Sequence, residues 1–369
     1  MLILLLDPAT ATTVFEGLND PGMPIKIGDL VRNEVFSRVG DQVDKAVAIH
    51  ETRWIPFEAS LGDLFGDYFF PFCVIQKPST LRAGMFKELV ELWGRNKAPE
   101  GIIEDLTTYI VPFMAIAKGV VPDQFEKGVR QSILRLVRMG RPSAVYPFVM
   151  RLLKGYERSE VTAQTAIEIL DMLESFLVRR ALAGIEPTGL LGLFRLLWTN
   201  ATSNGRQITV ASVADVILRR LTIEWPDDER LKEQISARPL YRATIAPYVL
   251  LEYERGCGAD FPDGTTPWIE HIAPQKLTAE WQTDFSPNVA KALVDTWANL
   301  IPLSSVMNQE LSQRVFSEKR ETYRQNSVFA SARKLAEEHE SWTPTQITAR
   351  AKHLGEWAVG RWPKPSATA

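Results

Sequence analysis

An acid stands directly before a histidine in Ile269-Glu270-His271-Ile272-Ala273-Pro274-Gln275, within a chain of 369 residues. Asn299 lies 28 residues beyond His271, and Asn308 nine beyond that. Neutral imidazole can take a proton from water at physiological pH, which suits His271 to general-base work. A carboxylate such as Glu270 and an amide oxygen such as that of Asn308 are hard donors. They suit a Mg²⁺ or Mn²⁺ ion that offsets charge on a phosphate ester. The side-chain amide of Asn299 can hold a histidine ring in one tautomer. Together these types specify metal-assisted hydrolysis of a phosphodiester. His271 is then the base, Asn299 its orienting partner, and Glu270 and Asn308 the metal ligands. A histidine beside an acid on an apolar strand is, taken alone, usually an inert pair. The ordered run of Pro274-Gln275, Asn299-Leu300 and Asn308 makes it a candidate site.

Positioning these groups makes demands on the chain. Consecutive strand residues point to opposite faces, so Glu270 and His271 share one metal only if the strand kinks or ends there. Pro274 supplies a reason for such an end. Thr266–Pro274 reads as extended, Asn299–Leu303 as a second short apolar run, and one long helix is expected from about Asn308 to Arg324. Strand, loop, strand and helix in that order form the ββα-metal arrangement of HNH nucleases. On such a helix Lys319 would lie on the face of Asn308, about 16 Å along the axis and out of reach of the metal. Lys319 then reads as a DNA-phosphate contact or as a solvated helix lysine. A final helix opens at Thr343, with Pro344 at its first position and Gln346 completing a capping box.

The rest of the chain reads as mainly α. Apolar residues recur at helical spacing in Ser132–Met139, Val161–Leu182 and Leu190–Trp198. Gly40, Gly140, Gly155 and Gly184 mark helix ends or turns, and Arg151–Arg158 reads as turn-like. The acidic, proline-broken stretch Glu224–Arg230 marks a boundary. A helical domain (1–225) is followed by an α+β domain (226–369) holding the ββα motif. Arg242–Glu254 reads as a helix kinked at Pro247 and stopped at Gly256-Cys257-Gly258. Trp342, Trp357 and Trp362 read as core.

Composition narrows the classes further. Lys and Arg number 42 against 45 Asp and Glu, a net charge of −3, so no bulk field draws the chain to nucleic acid or an anionic membrane. Any DNA contact must be local, and Lys319, Arg320, Arg324 and Arg350 are the candidates in the C-terminal part. A second basic cluster, Lys127 to Arg141, reads as a solvated helix face. Two cysteines exclude a disulfide framework and a cysteine zinc site, which makes a reducing cytoplasm the expected compartment. There is no phosphate-binding loop with a Lys-Ser/Thr ending, no GxGxxG and no GxSxG. The run Met1–Leu6 is stopped by Asp7-Pro8, too short for a signal or a span. It reads as a buried strand, and no membrane partner is expected.

The pattern resembles the GmrSD-type restriction endonucleases. Their C-terminal HNH domain carries Ile-Glu-His-Ile-x-Pro-Gln, matched by Ile269 to Gln275, with Trp281 shortly after. The resemblance continues through Asn299-Leu300, Asn308, Phe316 with Lys319, Tyr323 with Ser327, and Trp342 with Ile347 and Arg350. Ala298 departs from the glycine common before the Asn-Leu step. Upstream, Phe15 to Asn33 and Leu177-Val178-Arg179-Arg180 resemble the helical part of the family's N-terminal domain. The resemblance implies a metal-dependent endonuclease acting on foreign, including modified phage, DNA. The family's Asp-Gly-Gln-Gln-Arg nucleotide-binding segment has no counterpart here and would belong upstream of Met1. Nucleotide is therefore not expected to bind this chain alone, and a separate polypeptide could supply that segment. A rival reading is a non-catalytic DNA-sensing or partner-binding subunit with a relic HNH site.

Overall fold

The computed structural model describes residues 26–140, 143–259 and 265–366. The expected opening strand, and Phe15 to Pro24 of the upstream resemblance, lie outside them. Asp29 and Asn33 fall on the helix Ile27–Ser37. The chain is mainly helical, as its periodicity implies, with one two-stranded sheet among the described residues. None of the described helices is long and apolar enough to cross a membrane.

Two compact units divide the chain, and no single cut separates them. The first comprises 1–133, 143–167 and 189–209; the second comprises 134–142, 168–188 and 210–369. One boundary at 225 is expected from the sequence, whereas the second unit runs from 210 and also takes in 134–142 and 168–188.

The first unit is built on apolar helices. Phe65–Gln76 is apolar on nearly every side and therefore sits in the core. Its Tyr68 packs against Phe72 and Phe113 and donates to the Leu106 carbonyl at 2.5 Å. The stretch Arg151–Arg158 is no turn: it belongs to the helix Tyr146–Glu157. Gly155 is there because of crowding, since a Cβ on it would come within 2.9 Å of Val161.

In the second unit a buried polar hub ties upstream and downstream segments together. Glu174 accepts from Arg135 Nε at 2.8 Å, the Tyr248 hydroxyl at 2.7 Å and Trp362 Nε1 at 2.8 Å, and pairs with Arg361 at 2.7 Å. Fully buried Arg179 donates to the carbonyls of Trp362 and Pro226 and pairs with Asp228. Buried charges persist only when matched in this way. Pro247 does not kink a helix. It lies in the first turn of Ala246–Gly256, where a missing N–H costs nothing, and the helix ends at Cys257 as read.

The sheet pairs β1 (Trp268–His271) antiparallel with β2 (Leu300–Leu303). Its register is Trp268 to Leu303, Ile269 to Pro302, Glu270 to Ile301 and His271 to Leu300. Every residue of β2 is buried. The single long helix expected after β2 is instead two, Ser305–Leu311 and Phe316–Asn326. Ser312 breaks it with a φ of +36°, a backbone conformation that ends an α-helix. The Trp281 indole N–H then holds the Arg314 carbonyl in the connection at 3.2 Å. The final helix, Pro344–Arg361, carries the expected capping box of Thr343 and Gln346.

Candidate functional site

The pairing of β1 with β2 stays regular through His271, and Ile272 N–H continues it by donating to the Asn299 carbonyl at 3.0 Å. No kink brings Glu270 and His271 to one side. Alternation sends Glu270 inward to the Phe316–Asn326 helix and His271 to a more open face.

On the inward face the Glu270 carboxylate, 3% exposed, takes the Lys319 ammonium at 2.6 Å and the Tyr323 hydroxyl at 3.0 Å on the same oxygen. Lys319, 0% exposed, also donates to the His271 carbonyl at 2.8 Å. Burial pushes the Glu270 carboxyl up and the Lys319 ammonium down, while their mutual attraction pulls each back. The expectation of a DNA-phosphate contact at Lys319 is therefore corrected. The break at Ser312 turns the second helix so that Lys319 reaches back into the core instead of projecting along one long helix.

On the opposite face His271 Nε2 meets Asp295 Oδ1 at 2.9 Å. Gln275 Nε2 donates to the same oxygen at 2.7 Å. The ring of Tyr241 stands edge-on to the imidazole at 4.2 Å between centroids. Asp295 is itself anchored, its carbonyl accepting from the N–H groups of Leu240 at 2.7 Å and Tyr241 at 3.2 Å. Burial lowers the His271 pKa, Asp295 acts against it, and Lys319 lowers it further. The carboxylate oxygen accepts, so the shared proton sits on Nε2, and Nδ1 has no hydrogen-bond partner among the described residues. That is the geometry of a neutral, oriented base.

Asn299 is not the partner of that ring. Its side chain accepts from Ala273 N–H at 2.9 Å and Trp342 Nε1 at 3.0 Å, and donates to the carbonyls of Ala273 and Val294, each at 2.8 Å. All four hydrogen-bonding positions of the amide are in use, so the orienting role passes to Asp295. Asn299 fixes the chain just beyond His271.

Asn308 lies on Ser305–Leu311, a helix packed against β1. Its Oδ1 is buried with no hydrogen-bond partner among the described residues. An acceptor left open in this way fits a cation ligand. Glu270 spends Oε1 on an ammonium and a phenol, which leaves Oε2 as the oxygen it could offer a cation, with the Lys319 charge close by. Among the described residues no three His, Cys, Asp or Glu side chains cluster to hold a metal.

The remaining expected DNA contacts also divide. Arg350 is buried, its Nη1 donating to the carbonyls of Ala298 at 2.7 Å and Leu300 at 3.0 Å, so it braces β2 and does not face solvent. Arg320 is half-buried and donates to the Ala336 carbonyl at 2.8 Å. Arg324 is exposed and pairs with Glu321 at 2.8 Å. Trp342 and Trp362 are in the core as read, and Trp357 is half-buried.

Residues 225–357 match the family model of the C-terminal domain of GmrSD restriction endonucleases. This segment is similar to the C-terminal domain of that family. The match contains both strands, both faces of β1 and the helices behind them. No curated protein matches the chain significantly. Asp295 and Tyr241 lie in the GmrSD segment but outside the motif that points to His271. A carboxylate four residues before Asn299, where the chain enters β2, was the one signal available for Asp295.

Proposed function

We propose that this protein is an HNH-type endonuclease of the GmrSD group, hydrolysing phosphodiester bonds in DNA, with His271 as general base. The observation that carries the reading is the ring of His271 at the end of β1, held at Nε2 by Asp295 and with no partner at Nδ1 among the described residues. Nδ1 takes a proton from the attacking water, and the Asp295 carboxylate stabilises the imidazolium that forms. Gln275 keeps the Asp295 oxygen in place, and Asn299 holds the loop that carries Ala273 and Pro274. The reading includes one Mg²⁺ or Mn²⁺ ion, which Asn308 would hold through Oδ1 and Glu270 through Oε2, the oxygen that Lys319 and Tyr323 do not take. When bound, such an ion offsets charge on the phosphate and the leaving oxygen. Foreign or modified DNA as substrate, and a cytoplasmic setting, belong to the same proposal.

The test is cleavage of duplex DNA with Mg²⁺ or Mn²⁺ by the full chain and by His271→Ala. Loss of cleavage with an unchanged melting temperature is expected. Cleavage by a folded His271→Ala protein at the wild-type rate would falsify the assignment.

One observation favours the rival reading, a non-catalytic DNA-sensing or partner-binding subunit with a relic site: Glu270 is already satisfied by Lys319. Calorimetric titration with Mn²⁺ separates the two. A relic takes up no Mn²⁺, whereas a working site takes it up in a manner that Asn308→Ala weakens.

A further inference from the structure

Resting on the nuclease reading, a second question is which cations meet the DNA, since three of the four expected ones are spent inside the fold. Lys319 serves Glu270, Arg350 braces β2 and Arg320 holds the Ala336 carbonyl. A base beside a polyanion still needs nearby positive charge, because phosphate contacts supply most of the affinity of a protein for DNA.

Two side chains wall the face of His271 that bears Asp295. Tyr241 touches the imidazole, and Gln275 shares its Asp295 oxygen. The next residue on each wall is basic and exposed: Arg242 follows Tyr241, and Lys276 follows Gln275. Adjacent Cα atoms lie about 3.8 Å apart, so each cation is tethered within a side-chain length of the group that touches the base or its partner. Neither Arg242 nor Lys276 forms an ion pair among the described residues, unlike Arg324. The Tyr241 segment is also firmly placed, through its N–H bond to Asp295 and an antiparallel bridge between Pro239 and Thr296.

We propose that Arg242 and Lys276 are the phosphate-gripping residues of the His271 site, each neutralising a backbone phosphate of duplex DNA beside the bond to be cut. The protein's net charge of −3 then poses no obstacle, because the charge that matters is local: two exposed cations, with no ion pair among the described residues, adjoin the residues that flank His271.

The test is equilibrium binding of a short fluorescent DNA duplex to the full-length chain carrying His271→Ala, followed by anisotropy from 50 to 200 mM salt. Arg242→Gln and Lys276→Gln should each lower the slope of log K against log salt by about 0.9, and the double variant by about twice that. Lys87→Gln, an equal charge change at an exposed position of the first unit, should leave the slope unchanged. Equal slopes in Arg242→Gln, Lys276→Gln and the parent overturn the inference, and so does an equal fall in Lys87→Gln. If cleavage depends on His271 while these slopes stay fixed, the inference alone fails. If His271→Ala cleaves like wild type, the reading beneath it fails as well.

Discussion

The two faces of β1 differ by one residue in sequence and by nearly everything in environment. Glu270 is enclosed, with its charge matched by Lys319 and one oxygen also bonded by Tyr323. His271 is 11% exposed, with one ring nitrogen held by a carboxylate that is itself 34% exposed. The enclosed face has the chemistry of a structural ion pair, where removing one partner strands a buried charge. The open face has the chemistry of a base, held in one tautomer and kept neutral by partial burial. A two-residue motif thus divides into a fold-holding half and, on the proposed function, a reacting half, and substitutions should divide the same way.

The largest expected effect lies on the open face. His271→Ala should reduce DNA cleavage by roughly 10²–10⁴-fold, the usual contribution of a general base, with no loss in melting temperature. Glu270→Gln should do the opposite and destabilise the fold by about 3–5 kcal/mol, read from the midpoint of urea unfolding, because Lys319 is left buried without its counter-charge. The double change Glu270→Gln with Lys319→Met should cost less than the sum of the two single changes. An additive result would mean that the pair is not coupled and would erase the contrast between the faces.

Smaller effects sharpen it. Asp295→Asn should lower the cleavage plateau by about tenfold, since the His271 tautomer is no longer held by charge. Asp295 opposes the lowering of the His271 pKa, so its removal lets that pKa fall further. The acid limb of the pH–rate profile should therefore move to lower pH, and a shift to higher pH would refute the assignment of Asp295. Tyr323→Phe should cost about 1–1.5 kcal/mol in thermal or urea unfolding and leave cleavage unchanged, as it removes one hydrogen bond from a carboxylate still held by Lys319.

Much of the scaffold was readable in the residues. The capping box at Thr343, the helical stretches of the first half and the extended character of the Glu270-His271 run follow from local pattern, which local chemistry determines. The partners of the site were harder to read. A lysine on a helix looks the same in sequence whether it is solvated or buried. Only the break at Ser312, a serine with no glycine to announce it, sends Lys319 back to Glu270. Asn299 stands out in the sequence by its place after His271, but its bonds do not, because an asparagine can satisfy a ring or a main chain equally well. Strand alternation, taken strictly, already separates Glu270 from His271; of the kink or strand end expected there, the structure has the strand end, at His271, and keeps the alternation up to it.

The hub around Glu174 bears on how this molecule can be divided or inherited. Its partners Tyr248, Arg361 and Trp362 come from the C-terminal half, while Glu174 and Arg135 come from far upstream. The C-terminal half is therefore not a detachable cassette. Transplanted from residue 225 onward, it would carry its base and strands but leave Arg361 and Tyr248 facing an empty place where an acid belongs. A lineage exchanging this module with another protein would have to move the helix bearing Glu174 along with it.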